Sequence, residues 1–341
     1  MKAFRSVFVI TVVAAFAVLS FSTSFAASKP IQLSYANFFP PTHIQAKLGI
    51  AWADEIEKRT NGKVKFTHFP GGALLKGPEI YDGVTKGITD VGMSVFAYTK
   101  GRFPSIEAID LPMGYPNGVA ATKIINDFYK KFNLKEFDQV KILYLYAHGP
   151  GILHSKKPVH NMDDMKGLKI RSTGTSAQVS KALGAVPVAM PQGATYEALQ
   201  KGVVEATWVP IEALKGWKQG EVIKYTIDSF SIAYTQGFFV AMNKKKWSSL
   251  PADVQKVIEE VSEIWIGKTG EAWDQSDKEG REFSTGLGNE TISLSDEESD
   301  RWATAVQPVM DAYIEAAEKK GLPGKDYVNF IKEQVKKYQG K

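Results

Sequence analysis

The chain has 341 residues, and its 42 lysines and arginines against 37 aspartates and glutamates give a formal net charge of +5. It contains no cysteine, which excludes disulfides, thiolate metal sites and cysteine nucleophiles. An apolar content of 44% is typical of a globular chain of about two domains, and the small charge, without a basic cluster interleaved with aromatic residues, argues against nucleic-acid binding.

The N-terminus has the pattern of a secretory signal peptide. Two basic residues precede an apolar run from Val7 to Phe21, which is shorter than the roughly 20 residues that a membrane-spanning helix needs. Ser24 and Ala26 then provide the small residues of a cleavage site. We therefore expect a signal peptide over residues 1–26, cleavage after Ala26, and export.

Strands alternate with helices in the first third of the chain. Alternating apolar residues predict a strand over Ile31 to Asn37, followed by a helix from Thr42 to about Thr60 and a strand over Val64 to His68. A short helix over Pro78 to Lys86 and a buried strand over Ile88 to Phe96 come next. This order predicts a parallel sheet with crossover helices.

The same alternation continues to the C-terminus. A helix from Val119 to Phe132 and a strand from Ile142 to Tyr146 precede several short elements, and an apolar strand covers Gly237 to Met242. Apolar residues at helical spacing then predict a long helix from Leu250 to about Thr285. A helix from Asp296 to Lys320 and a last amphipathic helix complete a chain of the α/β class.

No catalytic, cofactor or metal motif is complete. A nucleophile elbow is absent, and the GKT triplet at 267–269 lacks the first glycine of a phosphate-binding loop and falls inside the predicted long helix. His148, His154 and His160 recur every six residues, which does not suit a metal site. We therefore expect a protein that is not an enzyme and has no cofactor, no metal site and no catalytic residues.

Arg171 is the leading candidate for ligand binding. It ends a short predicted strand and is followed at once by the polar run STGTS and a helix. Ligands of open α/β sheets bind at the carboxyl ends of strands, and a guanidinium there offers two parallel hydrogen bonds to a carboxylate. From the local sequence alone, a salt bridge at the surface or between lobes is an equal alternative.

Four segments make the chain similar to a known family. GLKIRSTG is followed by PVAMPQGATYEALQKGVVEA, and these are flanked by GGALLKGPEIYDGVTKGITDVGMS and LPADVQKVIEE. In this order they resemble the substrate-binding proteins of tripartite ATP-independent periplasmic (TRAP) transporters, the family named for C4-dicarboxylate uptake. The resemblance runs through nearly all of the chain after residue 26.

The resemblance implies a two-lobed periplasmic binding protein with a ligand cleft between its lobes. It implies a mainly N-terminal lobe over 27–150, a mainly C-terminal lobe over 151–240, and a long spanning helix and C-terminal helices over 241–341 that pack on both. Such a protein captures a small organic acid, closes on it, and delivers it to the membrane subunits of a permease driven by an ion gradient. Members of this family are usually monomers, and we expect a monomer here.

Arg171 matches the family's carboxylate-binding arginine. The resemblance also implies that much of the pocket floor comes from Met190 to Gln192 and from Thr207 to Pro210. Further candidates for the pocket, each equally expected in the core or at the surface, are Phe38, Phe39, Tyr98, His148, Gln192, Tyr196 and Phe238.

Two departures from the family bear on the ligand. Many members have a second arginine in the segment that aligns with 148–151, and many have an asparagine immediately before the proline that matches Pro210. This chain has no arginine in the first segment and has Trp208-Val209 in the second. We therefore favour a monocarboxylate, and we expect the Trp208 indole at the cleft, where it stacks on an apolar or planar ligand or narrows the pocket.

Three alternatives stay open at this point. In the first, the protein has the same binding role but its ligand is a dicarboxylate. In the second, the protein is an exported enzyme that acts on an organic acid. In the third, the binding protein has a sensor protein as its partner instead of a permease. The residues of the chain do not distinguish a sensor from a permease.

Overall fold

The structure, a computed structural model, describes residues 29–339. The predicted signal peptide and its cleavage site lie outside these residues. The strands are β1 (Ile31–Asn37), β2 (Val64–Phe69), β3 (Val91–Val95), β4 (Val140–Ala147), β5 (Gly151–Ser155), β6 (Lys169–Ser172), β7 (Val186–Ala189), β8 (Ala206–Pro210), β9 (Tyr225–Asp228), β10 (Gly237–Asn243) and β11 (Glu290–Ser293). The α-helices are α1 (Ile44–Arg59), α2 (Ile80–Lys86), α3 (Gly118–Phe132), α4 (Ser176–Ala182), α5 (Thr195–Gln200), α6 (Ala213–Gly216), α7 (Lys244–Ser249), α8 (Ala252–Gly286), α9 (Asp296–Glu318) and α10 (Gly324–Gln339).

The first lobe is built on a five-stranded sheet with the order β2-β1-β3-β10-β4. β1 pairs in parallel with β2 and β3, with Ile31 opposite Val64 and Tyr35 opposite Val91. This confirms the parallel arrangement predicted for the first third of the chain. β10 runs antiparallel between β3 and β4, so the chain returns to the first lobe after it has built the second.

Both faces of the first sheet are buried, which explains the unbroken apolar sequence of β10. Phe239 and Ala241 face the core formed with α2 and α3, whereas Phe238, Val240 and Met242 face the core formed with α1 and α8. Successive side chains of a strand point to opposite faces, so a strand covered on both sides needs apolar residues at every position.

The second lobe is built on a six-stranded sheet with the order β11-β9-β5-β8-β6-β7. β6 pairs in parallel with β7 and β8, so the strand that contains Arg171 lies inside the sheet. β5 runs antiparallel to β8 and β9. The chain crosses between the lobes from β4 to β5 and again from β9 to β10.

The helix α8 joins the two lobes. It packs on α1, α3 and β4 of the first lobe and on α6 of the second. Its Asp274 carboxylate accepts a hydrogen bond of 2.5 Å from Gly118 N, at the N-terminus of α3. One turn later, Asp277 accepts a hydrogen bond of 2.7 Å from Glu212 N, immediately before α6. One helix thus binds the start of a helix in each lobe, where the helix dipole favours an acid.

The ends of the helices follow local signals, with one difference from the sequence prediction. The sequence predicts that this helix begins at Thr42, but His43 caps α1, and its Nδ1 accepts a hydrogen bond of 3.1 Å from Gln45 N. α9 packs on α4 in the second lobe and α10 packs on α3 in the first. No helix between residues 29 and 339 is both long enough and apolar enough to cross a membrane.

His154 makes the stability of the second lobe sensitive to acid. Its ring is buried between Thr226 Oγ1 at 3.0 Å and the Val209 carbonyl at 3.3 Å, and burial lowers its pKa from 6.5 to about 3. Above pH 6.5 the ring is neutral in both the folded and the unfolded chain. As the pH falls below this value, only the unfolded chain takes up the proton, so the free energy of unfolding falls.

We expect His154→Gln to remove this part of the pH dependence. Between pH 6 and 4 the free energy of unfolding of the wild type should fall by about 1.4 kcal/mol per pH unit more than that of the variant. Urea unfolding of both proteins at several pH values measures the difference. Buried acids such as Asp110, whose raised pKa gives the opposite slope, contribute equally to both proteins and cancel. If the free energies of unfolding of the wild type and His154→Gln changed in parallel with pH, His154 would not be the source of the acid sensitivity.

Candidate functional site

A cavity lies where the two lobes meet. The ends of β1, β3 and β4 approach it from the first lobe, and the ends of β6 and β8 approach it from the second. This is the position expected for a ligand site of α/β sheets. Its lining residues are Phe38, Phe39, Val95, Tyr98, His148, Arg171, Gln192, Val209, Pro210, Glu212, Ala213, Trp217, Tyr234, Gln236, Phe238 and Trp273.

Seven of the nine side chains predicted for the site line this cavity. These seven are Phe38, Phe39, Tyr98, His148, Arg171, Gln192 and Phe238. The two that do not are Trp208 and Tyr196.

The prediction that the Trp208 indole lies at the cleft is wrong. Within β8, the neighbouring Val209 lines the cavity, and successive side chains of a strand point in opposite directions. The indole of Trp208 therefore points into the core of the second lobe, where its Nε1 donates a hydrogen bond of 2.9 Å to Ser180 Oγ. The backbone carbonyl of Trp208, in contrast, contacts side chains of the site.

Tyr196 also lies away from the cavity. It is in the first turn of α5, its side chain is partly exposed, and its hydroxyl donates a hydrogen bond of 2.9 Å to Glu221 Oε2. The nearby turn at 191–194 favours a place in the pocket, but the helix turns the ring away from the cavity.

Arg171 is held in the cavity by backbone carbonyls. It is 3% exposed. Its Nε donates to the Met190 carbonyl at 3.1 Å, and its Nη1 lies 3.5 Å from the Trp208 carbonyl. The Tyr98 hydroxyl is a further hydrogen-bond partner, and the five N–H groups of the guanidinium still leave some of them for another acceptor.

Arg171 has no acidic partner within the described part of the chain. No carboxylate between residues 29 and 339 lies within ion-pair distance of it; the arginines that do form ion pairs there are Arg59, Arg102, Arg281 and Arg301. Burial lowers the pKa of Arg171, but an arginine keeps its proton in proteins. A buried charge without a counter-charge costs several kcal/mol, and an anion in the cavity would offset that cost.

Neutral donor groups belong to several residues that line the same cavity. The Tyr98 hydroxyl accepts a hydrogen bond of 2.9 Å from Gln192 N, and burial raises the pKa of Tyr98, so the hydroxyl keeps its own proton for donation. The side-chain Nε2 of Gln192 is buried without a hydrogen-bond partner, and so is Nε1 of Trp273. Tyr234 instead donates its proton to the Trp208 carbonyl at 2.8 Å. The cavity thus offers at least three donor groups besides Arg171 for polar atoms of a ligand.

Aromatic rings form much of the remaining wall. Phe38 stacks on Phe39 with ring centroids 4.5 Å apart, and Phe39 is stacked on Phe238 at 5.9 Å. Trp217 lies 6.3 Å from Phe38, and Trp273 lies 5.8 Å from Phe238. Such a wall favours an apolar or planar ligand body, because aromatic rings pack well in stacked and edge-on arrangements.

His148 does not replace the missing second arginine as a cation. Its ring is buried, and its Nδ1 lies 2.5 Å from the Gly149 carbonyl. Burial, and to a smaller extent the charge of Arg171, lowers the pKa of His148 to about 4. Its imidazole is therefore neutral near pH 7, and among the lining residues only Arg171 is permanently positive.

Sequence reasoning missed several lining residues. Trp217, Tyr234 and Gln236 lie in connecting segments without a recognisable motif, and Trp273 lies on a helix whose apolar stripe predicts only core packing. Glu212 was also missed. It lies between β8 and α6, and its Oε1 is 2.5 Å from Nε2 of His43, which belongs to the other lobe.

The described residues show no arrangement suited to a metal ion. Between residues 29 and 339, no three His, Asp or Glu side chains converge as a possible ligand group.

The two lobes, the spanning helix and the cleft between strand ends define a two-lobed periplasmic binding protein. The sequence model of the family described as bacterial extracellular solute-binding protein, family 7, matches residues 35–316. The chain therefore belongs to this family, and it is a substrate-binding protein of the TRAP transporter type.

Proteins similar to this chain bind acids of two kinds. The C4-dicarboxylate-binding periplasmic protein DctP of Rhodobacter capsulatus is 28% identical over 296 residues, which are 85% of this chain and 88% of that protein. A TRAP solute-binding protein from Bordetella bronchiseptica with bound mandelate is 30% identical, with a TM-score of 0.84 over 91% of this chain and 100% of that one. One from Rhodoferax ferrireducens, with copurified benzoate, is 28% identical, with a TM-score of 0.85 over 91% and 99%.

Proposed function

We propose that this protein captures a small organic acid with one carboxylate and an apolar or aromatic body in the periplasm, and delivers it to a TRAP permease. Arg171 would bind the carboxylate. The permease would be driven by an ion gradient, as the family resemblance implies, and the binding protein would act as a monomer without catalysis.

The buried, unpaired guanidinium of Arg171 carries this proposal. The guanidinium provides a counter-charge for an anionic ligand, and its remaining N–H groups match the geometry of a carboxylate. Tyr98 and the side-chain amide of Gln192 line the same cavity and would donate further hydrogen bonds to the ligand. Binding would therefore remove the cost of the buried charge and satisfy polar atoms together.

The rest of the cavity favours an aromatic monoacid over a dicarboxylate. The rings of Phe38, Phe39, Phe238, Trp217 and Trp273 provide an apolar surface, and no second permanent cation lines the cavity. The Bordetella and Rhodoferax proteins, which share the fold, hold mandelate and benzoate. The relative DctP is named for binding C4-dicarboxylates, so a dicarboxylate is the alternative ligand that the experiment has to test.

A thermal-shift screen of residues 27–341 tests the proposal. The panel contains benzoate, mandelate, 3-hydroxybenzoate, aliphatic monoacids, C4-dicarboxylates, sugar acids and amino acids. Ligand at about 100 times its Kd stabilises the folded protein by about 2.7 kcal/mol, which raises the unfolding midpoint by roughly 5 °C. We expect shifts with monoacids, and with aromatic ones above all. Shifts confined to dicarboxylates would contradict the ligand class, and native mass spectrometry of unwashed protein would identify a ligand that is already bound.

A further inference from the structure

The cavity contains one acidic side chain besides its one permanent cation. Glu212 is 2% exposed and lines the cavity, yet it does not pair with Arg171. Arg171 is bound to the carbonyls of Met190 and Trp208. The Glu212 carboxylate is directed to His43 instead. Arg171 and Glu212 thus both line the cavity without pairing with each other.

Glu212 is fixed in this position by groups from both lobes. Nδ1 of His43 accepts a hydrogen bond from Gln45 N, and Nε2 of the same ring lies 2.5 Å from Glu212 Oε1. Phe39 stacks on the His43 ring at 4.3 Å. The backbone N–H of Glu212 is bound by the carboxyl group of Asp277. These contacts hold Glu212 in its place in the wall of the cavity.

We propose that Glu212 is a specificity-determining residue that excludes ligands with a second carboxylate. The proposal rests on the proposed function, because it assumes that Arg171 binds the first carboxylate. A second carboxylate of the same ligand would extend into a buried region that already contains the Glu212 carboxylate. Like charges repel strongly where water is excluded, so the dianion would bind far more weakly than a monoanion of the same shape.

The same acid would accept a neutral donor. A hydroxyl or amide group at the far end of a monoacid can donate a hydrogen bond to Glu212, whereas a carboxylate cannot. Selectivity would thus come from repulsion of the wrong ligand as well as from attraction of the right one.

Pairs of acids with equal size and different charge test this directly. We would measure Kd by calorimetry at pH 7.5 for 3-carbamoylbenzoate against benzene-1,3-dicarboxylate and for succinamate against succinate. In each pair the second carboxylate is replaced by an amide of the same shape. For the pairs that bind, we expect the wild type to prefer the amide at least about 30-fold, and Glu212→Gln to reduce the preference to about threefold or less.

Glu212→Asp separates the role of the charge from a structural role. It keeps the carboxylate but shortens the side chain, so it disturbs the contact with His43. If the charge sets selectivity, Glu212→Asp keeps most of the preference and only Glu212→Gln loses it. If Glu212 merely supports the wall, both variants change selectivity alike, and the proposal fails.

Other outcomes are equally decisive. Equal affinity of the wild type for both members of a pair, or an unchanged ratio in Glu212→Gln, would overturn the inference. Arg171→Gln should weaken both members of a pair without removing the preference; if it leaves their binding unchanged, the proposed function fails instead. Binding of no acid from either pair by the wild type would overturn the inference about Glu212, whereas the proposed function is decided by the thermal-shift screen.

Discussion

Replacement of Arg171 by glutamine should weaken binding of the acid ligand by about 2–5 kcal/mol, or roughly 30- to 5,000-fold in Kd. The reason is that the ligand carboxylate would enter a buried site without its counter-charge. Glutamine keeps a polar side chain of moderate size but removes the charge and the planar pair of N–H groups. Calorimetry with an acid identified by the thermal-shift screen measures the loss.

The folded protein without ligand should tolerate this substitution. Arg171 is a buried cation without an acidic partner among residues 29–339, so its removal relieves a cost in the empty protein. We therefore expect an unfolding midpoint equal to or above that of the wild type. A variant that binds weakly and still unfolds at the wild-type temperature has lost an interaction and not its fold.

Arg301→Gln is the matched control. Arg301 is exposed, forms surface contacts with Glu298 at 3.0 Å and Asp163 at 3.6 Å, and does not line the cavity. Surface ion pairs contribute little to stability, so Arg301→Gln should fold normally and bind the ligand with the affinity of the wild type. If Arg171→Gln binds within tenfold of the wild type, Arg171 does not bind the carboxylate.

Alanine substitutions at two glycines of α8 should have opposite effects on stability. A Cβ at Gly280 would lie 2.3 Å from the Ile211 carbonyl oxygen, a contact with backbone that cannot move aside easily. We expect Gly280→Ala to destabilise the fold by about 1–3 kcal/mol. Ile211 precedes Glu212 and follows Pro210, which both line the cavity, so ligand binding should weaken as well.

Gly267→Ala in the same helix is the control. No heavy atom lies within 4 Å of a Cβ built there. Alanine is a better helix former than glycine, so this substitution should stabilise the fold by about 0.5–1 kcal/mol. Urea unfolding of the two variants and the wild type measures the sign of each change in the free energy of unfolding. Equal effects at the two positions would show that helix propensity, and not the contact between α8 and the second lobe, decides the outcome.

Local patterns predict much of this fold. Helical spacing of apolar residues places the long helix at about 250–285, and the observed α8 covers Ala252–Gly286. Alternation of strands and helices predicts the parallel pairing of β1 with β2 and β3. The position of Arg171 at a strand end, before a polar turn, is likewise a local feature, which is why the sequence points to it.

Contacts between distant segments are not predicted in this way. The position of β10 in the first sheet depends on pairing with β3 and β4, which precede it by about 100 residues or more. The orientation of Trp208 depends on which face of β8 meets the cavity, and a strand shifted by one residue reverses every side chain. The contact between Glu212 and His43 likewise joins residues that are 169 positions apart in the chain.

A crystal structure of the protein with an acid from the thermal-shift screen tests the central claim most directly. We expect the ligand carboxylate on the free N–H groups of Arg171, at about 2.8 Å, and the ligand body against Phe38, Phe39 and Phe238. A carboxylate bound elsewhere, with no contact between Arg171 and the ligand, would contradict the account.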